Sequence, residues 1–312
     1  MTATVRKNLP KNAKITKDGK VIIKLSRNVK KPNRSLGGDI FIWAMLAFFG
    51  VFFAFPLVFA INNAFKPLNE IFIFPPKVFV INPTMNNIQD LFIIMSRSWV
   101  TFTRYIFNTV FITAAGTAGH LFFASLGAFA VSKYEFPGSK FFFNLIITTL
   151  MFNLYVTQIP NFLVLSQLGW IDTYWAVIIP AFGMPMGFFL IKQFMDTIPI
   201  SLIEAGKIDG ANEWYIYSRI VMPLVKPALL TAMVFAIQAL WNNPQTLFIH
   251  TEQLKTLPLA ISQIIGSAQM PNVARQGVNA AGALFMMIVP IIIFIFAQSN
   301  ILKTMASSGI KE

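Results

Sequence analysis

Six long apolar runs separated by polar segments are the main pattern of the chain. Crossing about 30 Å of hydrocarbon takes about 20 residues of α-helix, and each run approaches or exceeds that length. The runs cover approximately residues 40–61, 105–131, 141–165, 173–191, 228–249 and 278–302. Prolines occur inside five of them, where neighbouring helices can satisfy the carbonyls that proline leaves unpaired. The pattern predicts an all-α membrane protein with six transmembrane helices.

The segment before the first run is polar and basic, and it divides the chain. We expect a basic cytoplasmic tail over residues 1–38, a transmembrane domain over 39–304 and a short cytoplasmic tail over 305–312. Within the basic tail, an Asp18-Gly19 pair between short apolar pieces is compatible with a small hairpin. The density of lysine instead favours a disordered tail.

Composition excludes several function classes. Of the 312 residues, 55% are hydrophobic and only 12% are charged, about half the charged share of a soluble domain. The chain has no cysteine, which excludes disulfides and thiolate metal clusters. Its only histidines are His120 and His250, so a histidine-rich metal centre is excluded too. We interpret His120, which lies inside the second run, as a hydrogen-bonded core residue.

The basic residues orient the predicted helices. Net charge is +13, but 11 of the 25 Lys and Arg lie in the first 38 residues, which argues against a nucleic-acid surface. Placing the N-terminus inside puts 19 of the 25 on the cytoplasmic side and 6 on the outer side. Cytoplasmic segments are enriched in Lys and Arg, so both termini are predicted to be cytoplasmic.

A polar loop over about 197–227, between the fourth and fifth runs, has helix signals at both ends. Ser201 and Glu204 have the spacing of a capping box, which predicts a helix that starts there. Gly210 suits a left-handed helix stop. A second helix is predicted over about 212–223. The loop is therefore expected to be a helix–turn–helix on the cytoplasmic face.

This loop resembles the EAA loop of ATP-binding cassette (ABC) importer permeases. Its core reads Glu204-Ala205-Gly206, then three residues ending in Asp209, then Gly210, with Gly206 in place of the usual second alanine. Other segments are similar to the maltose-type G-subunit permeases of the carbohydrate branch. These segments are Phe136-Pro137-Gly138, Thr173-Tyr174-Trp175, Trp241-Asn242 and Thr256-Leu257-Pro258-Leu259. The resemblance covers about residues 40–312.

The resemblance implies a multi-pass permease subunit in the inner or cytoplasmic membrane that imports a sugar or oligosaccharide. Its implied partners are a second homologous permease, two cytoplasmic ATPases that bind ATP and Mg²⁺, and an extracytoplasmic solute-binding protein. The chain itself would hold no cofactor and no catalytic residue, and its sequence lacks the phosphate-binding Gly-x₄-Gly-Lys-Ser/Thr motif. The residues implied to contact the ATPases are Glu204, Ala205, Gly206, Asp209, Gly210 and, in the C-terminal tail, Ser308, Gly309 and Ile310.

Polar residues within the predicted spans are candidates for a sugar path. They are Asn153, Tyr155, Gln158, Gln238, Trp241 and Asn242. Amides suit sugar hydroxyls and aromatic faces suit sugar C–H surfaces. The alternative is that these side chains hydrogen-bond between helices, which is common in membrane bundles.

Two other function classes remain open from the sequence. A membrane-embedded glycosyl or acyl transferase needs acids or histidines grouped at the membrane face, and Asp172, Asp196 and Glu204 are not grouped in the sequence. An ion-coupled secondary carrier needs charged residues inside its spans, and the predicted spans contain almost none. Co-purification of an ATPase separates the permease from both.

The topology is testable because the chain has no native cysteine to give background labelling. Single cysteines at Ser139, Asn212 and Ser308 should react only with reagents that reach the cytoplasm. A cysteine at Asn82 should react from outside. Labelling is read by mass shift in intact cells with a membrane-impermeant maleimide. External labelling at Asn212 would contradict the predicted orientation.

Overall fold

The computed structural model describes residues 13–15, 21–23, 36–96, 99–152, 154–244, 247–266 and 272–308. Helices make up most of this part. They are α1 (Leu36–Phe65), α2 (Leu68–Ile71), α3 (Asn86–Ser96), α4 (Phe102–Lys133), α5 (Ser139–Thr149), α6 (Leu154–Gln167), α7 (Trp175–Phe182), α8 (Pro185–Asp196), α9 (Ile200–Ile208), α10 (Glu213–Tyr215), α11 (Met222–Leu224), α12 (Lys226–Trp241), α13 (Leu257–Gly266) and α14 (Asn272–Ser308). Ile216–Val221 is π-helical and Glu252–Leu254 is 3₁₀-helical.

The chain divides into two compact units, Met1–Leu57 and Val58–Glu312. In the first unit, strands β1 (Ala13–Ile15) and β2 (Val21–Ile23) pair antiparallel, with Lys14 opposite Ile22. The strand pairing of the hairpin interpretation is therefore confirmed, whereas its Asp18-Gly19 turn lies outside the described residues. The same unit contains the first turns of α1, whose large apolar side chains are almost all exposed.

Several helices are long and apolar enough to cross a membrane, so the chain is a multi-pass membrane protein. By length and composition, the described residues contain four such spans: Gly37–Phe65, Phe102–Lys133, Trp175–Asp196 and Gln276–Gln298. A fifth is counted if Glu213–Leu224 and Lys226–Trp241, which meet at a 79° bend, form one span. These agree with the first, second, fourth and sixth predicted runs. The described helices alone do not reach the predicted count of six.

The third predicted run forms two helices, α5 and α6, each shorter than a full span. Near the end of α5, the Thr148 hydroxyl donates to the Asn144 carbonyl and the Thr149 hydroxyl donates to the Ile146 carbonyl. Such bonds compete with the backbone ladder and bend or end helices. Apolar periodicity alone does not report this competition.

Helix α4 is central to the larger unit and packs against α7, α8 and α12. Small side chains allow close approach of helices in membrane bundles. On α4 these include Ala124 and Ala128, and on α12 they include Ala232 and Ala236, all of them buried. A separate buried cluster joins α3, the start of α4, α13 and α14.

Two carboxylates secure the loops that connect these helices. Glu70 accepts hydrogen bonds from the backbone N–H groups of Ile81 and Asn82, and the bond from Ile81 leads the effects that lower its pKa. Asp172, in a left-handed conformation with φ 61°, accepts from the backbone N–H groups of His250 and Thr251 at 2.9 and 2.8 Å. The Thr251 hydroxyl also donates to it. Asp172 thereby connects the turn before α7 to the segment after α12.

This connection should make stability depend on pH. Burial acts to raise the pKa of Asp172, but the bonds from Thr251 and His250 outweigh it and hold the pKa below its usual value. The stability that the carboxylate contributes is therefore fully present above the unfolded-state pKa of about 3.9, and it is lost as the pH falls through the folded-state pKa. Asn tolerates the left-handed conformation, so Asp172→Asn removes the charge with little strain.

We expect Asp172→Asn to lower the thermal unfolding midpoint in detergent by about 2 °C at pH 7. The difference from wild type should shrink as the pH is lowered from 5 to 3. Asp90→Asn is the control, because the Asp90 carboxylate on α3 makes no hydrogen bond with the described residues. A difference for Asp172→Asn that stays constant across this pH range would contradict the argument.

Candidate functional site

The 197–227 loop contains the predicted helix–turn–helix. Helix α9 ends in a Schellman motif, in which the N–H of Ala211 donates to the carbonyl of Gly206 and the N–H of Gly210 donates to that of Lys207. Asp209 is the C-cap, and Gly210 has φ +80°, a conformation that favours glycine. The predicted glycine stop is confirmed.

The start of α9 differs from the prediction. The N-cap is Pro199 and the helix begins at Ile200, so Ser201 lies in the first turn and the predicted capping box is wrong. Proline at the cap leaves the first helical position to Ile200, one residue before the serine. Glu204 is consequently a mid-helix residue. Its side chain is exposed and makes no hydrogen bond or ion pair with the described residues.

Gly206 faces the interior of the loop rather than its outer surface. It is buried, and a Cβ at this position would lie 2.9 Å from Cδ1 of Ile220 in the second helix. Ala205, next to it, is exposed. The resemblance implies that Ala205 and Gly206 both contact the ATPases, but only Ala205 is on the outer side of the loop. Gly206 allows the two helices to approach closely.

The second helix begins as predicted and then changes geometry. Asn212 is its N-cap, and the side-chain oxygen of Asn212 accepts from the Tyr215 N–H at 2.8 Å. The following π-helix is closed by a bond from the Met222 N–H to the Tyr217 carbonyl. Pro223 has no N–H to donate to the turn before it, which accounts for the loss of α geometry there.

A buried cluster joins the loop to the membrane helices. Ile203 of α9 and Ile216 of the π-helix lie in one apolar core with Phe129 of α4 and Met195 of α8. Within this core, the hydroxyl groups of Tyr217 and Ser125 are hydrogen-bonded at 2.7 Å. The loop therefore packs directly on two spans and is more than a solvated connection.

Polar contacts close the turn between the loop's two helices. Lys207 and Glu213 form an ion pair at 2.9 Å, and the Tyr134 hydroxyl donates to Glu213. The Lys207 ammonium also lies 5.1 Å from the centre of the Tyr134 ring. Both charged side chains are about half exposed, so the ion pair contributes at most about 1 kcal/mol. It orients the turn more than it stabilises it.

The outer surface of the loop is apolar and exposed. Ile208 is 86% exposed, and Leu202, Trp214 and Tyr215 are between 43% and 58% exposed. Together with Ala205 and Glu204 they form a surface that we call the loop face. Exposed apolar groups of this size gathered on one surface are typical of protein contact sites.

A second candidate site is a cavity of about 700 Å³ between α4, α6, α8 and α12. Four amide side chains line it: Gln158 from α6, Gln238 and Asn242 at the end of α12, and Asn243 directly after them. The break between α7 and α8 adds Met184–Gly187, and α4 adds His120. The structure thus brings three of the predicted path residues to one cavity, and it adds residues that the sequence did not indicate.

The other predicted site residues lie elsewhere or are not described. Trp241 is buried away from the cavity lining, and its indole N–H donates to the Met286 carbonyl of α14 at 3.1 Å. Asn153 lies outside the described residues, as does the side chain of Tyr155. Ser308 is the last described residue of α14, and Gly309 and Ile310 lie outside the described residues.

The acidic residues considered for a transferase do not contact one another. Asp196 pairs with Lys192 and accepts from Ser132, whereas Asp172 holds the turn described above. In the part of the chain that the structure describes, no group of three His, Asp or Glu side chains could hold a metal ion. Asp172 and Asp196 therefore have separate structural roles.

The family of binding-protein-dependent transport system inner membrane components matches residues 121–306, which contain the loop and all of the cavity lining except His120. The chain belongs to this family. The match begins next to His120 and extends through the loop to α14.

Relatives and solved structures agree with this transport family. The chain is 27% identical to the probable ABC transporter permease protein YurM of Bacillus subtilis (strain 168), over 88% of this chain and 89% of the relative. It is 28% identical to the arabinooligosaccharides transport system permease protein AraQ of Halalkalibacterium halodurans, over 86% and 94%. A bacterial ABC transporter involved in the import of the acidic polysaccharide alginate has a similar fold, with a TM-score of 0.70 at 22% identity over 86% and 99%.

Sequence reasoning missed two groups of residues in this transport-family chain. Tyr134, Lys207 and Glu213 are far enough apart in the sequence that only the folded turn brings them together. Met184–Gly187 could have been found, because Pro185 between two glycines marks an irregular point inside an apolar run.

The position of Gly206 gives a prediction about stability. In Gly206→Ala, the end of the Ile220 side chain must shift slightly. The gain in helix propensity of about 1 kcal/mol offsets the cost of that shift, so the unfolding midpoint should stay within about 2 °C of wild type. Gly206→Leu should overpack the loop and lower the midpoint by about 5 °C. Ala205→Leu is the matched control and should leave it unchanged. Equal midpoints for the two leucine variants would contradict the assigned burial.

Proposed function

We propose that the chain is the transmembrane permease subunit of an ATP-driven ABC importer that takes up a sugar or oligosaccharide. Family membership supports the transport role, and a relative that belongs to an arabinooligosaccharide transport system supports the substrate class. The observation that carries the proposal is the exposed loop face lying on a buried core shared with α4 and α8. A surface of this kind transmits force only if a partner binds to it.

In this proposal two cytoplasmic ATPases bind the loop face and hydrolyse ATP with Mg²⁺, and the permease itself catalyses no reaction. Glu204, Ala205 and Ile208 contact the ATPase, whereas Gly206, Asp209 and Gly210 shape the helices that present them. The tail residues Ser308, Gly309 and Ile310 reach between the two ATPases. Apolar contact supplies the affinity, and the Glu204 carboxylate adds a charge that a basic partner residue can bind.

In the proposed arrangement the chain lies in the inner or cytoplasmic membrane. It crosses that membrane six times, and both of its termini are in the cytoplasm. Helices α5 and α6 together make the third span. A second homologous permease completes the channel, and an extracytoplasmic solute-binding protein delivers the sugar. The distribution of Lys and Arg supports this orientation, because 19 of the 25 are then cytoplasmic.

The cavity is the proposed sugar path within this subunit. Gln158, Gln238 and Asn242 present amide groups that donate to and accept from hydroxyls. Its volume of about 700 Å³ is within the usual range of small-molecule sites. Apolar walls beside a few polar groups suit the two faces of a sugar ring.

The proposal is tested by expressing the chain with its neighbouring transport genes and purifying it through a tag. An ATPase should co-purify, and the complex in liposomes should take up an oligosaccharide only when ATP and the binding protein are present. A transferase would instead modify the sugar, and a secondary carrier would need an ion gradient. Uptake of the oligosaccharide without ATP would contradict the proposal.

The exposed position of Glu204 makes a coupling variant possible that leaves the fold intact. Since Glu204 has no partner among the described residues, Glu204→Lys should keep the unfolding midpoint and change only the contact with the ATPase. We expect at least a tenfold loss of transport-coupled ATP hydrolysis, as for reversal of a charge at an interface. Glu135→Lys, an exposed residue outside the loop, makes the same charge change and should retain activity. Normal coupled hydrolysis in Glu204→Lys would exclude the loop face as the ATPase site.

A further inference from the structure

A pocket of about 430 Å³ lies at the start of α4, where two connections of the chain meet. Trp99, Val100 and Thr101 come directly before α4, Arg104 is in its first turn, and Gln253 belongs to the segment between α12 and α13. In the proposed orientation these residues are on the outer side of the membrane. The pocket shares no lining residue with the cavity of about 700 Å³.

The Arg104 guanidinium is exposed at this pocket, yet it is held in one direction. Its Nε donates to the Gln253 carbonyl at 3.2 Å, and one terminal nitrogen donates to the Tyr174 hydroxyl, also at 3.2 Å. The central carbon of the guanidinium lies 5.6 Å from the centre of the Phe107 ring. A long side chain on a surface normally keeps much of its rotamer freedom, and these three contacts restrict it.

A buried amide supports both hydrogen-bond partners of Arg104. Asn108 is 0% exposed, and its side-chain nitrogen donates to the carbonyls of Gln253 and Lys255, both at 2.8 Å. Its side-chain oxygen accepts from the Tyr174 hydroxyl at 2.7 Å. The same side chain therefore fixes the carbonyl and the hydroxyl that orient the guanidinium. Groups fixed by such supporting bonds are preorganised and lose less entropy when a ligand binds.

The guanidinium keeps donors for a ligand. Arginine has five N–H groups, so the two hydrogen bonds leave three of them on Arg104. No ion pair between described residues includes Arg104, and the Glu252 carboxylate next to Gln253 is bound to Tyr105 and Lys255. A carboxylate accepts two parallel N–H bonds from one guanidinium, so it is the ligand group that these donors suit.

We propose that this pocket binds a uronate residue of the transported oligosaccharide and that Arg104 pairs with the sugar carboxylate. The inference rests on the proposed sugar function and makes acidic glycans a substrate class of this importer. Trp99 is 72% exposed and offers an aromatic face to the C–H surface of the ring. The Thr101 hydroxyl and the Gln253 amide can bond to ring hydroxyls. Asn108 is a positioning residue, because it acts through the partners of Arg104.

The lining favours a sugar over an acidic side chain of another protein. Its volume is within the usual range of small-molecule sites, and one Asp or Glu side chain would fill only a fraction of it. A protein carboxylate needs the guanidinium alone, whereas this pocket adds an indole, a hydroxyl and an amide. The lining comes from connections and a first helical turn, which also disfavours a lipid phosphate.

The test uses the complete importer in liposomes, with its binding protein loaded with galactotriose or with trigalacturonate. The rings of these two sugars differ at C6, which carries a hydroxyl in one and a carboxylate in the other. Initial uptake is measured against the concentration of loaded binding protein. Arg104→Gln should raise the KM of the trigalacturonate-loaded form roughly tenfold, because the carboxylate loses its bidentate partner. The KM of the galactotriose-loaded form should change less than twofold.

Two further variants test the geometry of the site. Arg104→Lys keeps the charge but lacks the planar fork, so it should recover only part of the lost affinity. Trp99→Ala leaves the bonds of Arg104 intact and should raise the KM of the trigalacturonate-loaded form about fivefold, which tests the pocket even if Arg104→Gln fails to fold. Lys77→Gln is the matched control, because it removes one positive charge from another exposed position on the proposed outer side. It should leave both KM values unchanged.

The outcomes separate the uronate pocket from the sugar function. Uptake of galactotriose alone by wild type, or an unchanged KM of the trigalacturonate-loaded form in both Arg104→Gln and Trp99→Ala, overturns the pocket and leaves the sugar function standing. An equal rise of both KM values in Arg104→Gln, or weaker binding of the sugar-free binding protein by this variant, assigns the carboxylate to the binding protein and also overturns the pocket. Wild-type liposomes that take up neither sugar reject the pocket together with the sugar function for these substrates.

Discussion

Close packing around helix α4 is the constraint on which the rest of the larger unit depends. Buried Ala124 and Ala128 leave room for α8 and α12 to lie against α4, where larger side chains would separate them. The same helix carries Ser125, which bonds to Tyr217 of the loop, and His120 at the cavity. Five residues separate Ser125 from His120, or about 7.5 Å of helix rise. The loop and the cavity therefore share one rigid support.

This shared support explains how a contact at the loop face could reach the cavity. The buried cluster around Ile203 and Ile216 also contains Ile191 and Met195 of α8, and close-packed interiors transmit displacement. Helix α8 ends at that cluster and begins at the wall of the cavity, near Gly187. A tilt of α8 caused by a bound ATPase would change the cavity at its other end. A rigid-body tilt of this one helix is enough to change the cavity, and the fold itself need not rearrange.

Sequence reasoning succeeded where the determining physics is local. Helix α4 was placed within a few residues from apolar length, and the stop at Gly210 followed from the need for positive φ. Sequence reasoning failed where a residue far away in the sequence determines the burial or the orientation of a side chain. The burial of Gly206 depends on Ile220, and the orientation of the His120 ring depends on Phe182, 62 residues away. The division of the third run into α5 and α6 depends on hydroxyl–backbone competition that hydropathy does not measure.

The π-helical segment Ile216–Val221 has a consequence for how this chain tolerates length changes. Each residue of an α-helix advances the direction of the side chains by about 100°, so a one-residue deletion in a regular α-helix turns its two ends relative to each other by that angle. A turn of π-helix holds about one residue more than a turn of α-helix, because its hydrogen bonds run from i to i+5. A one-residue deletion within these six residues would therefore restore regular α geometry and leave the loop face close to its present direction. The irregular turn is thus a place where the chain can lose one residue without re-aiming the surface that the loop presents.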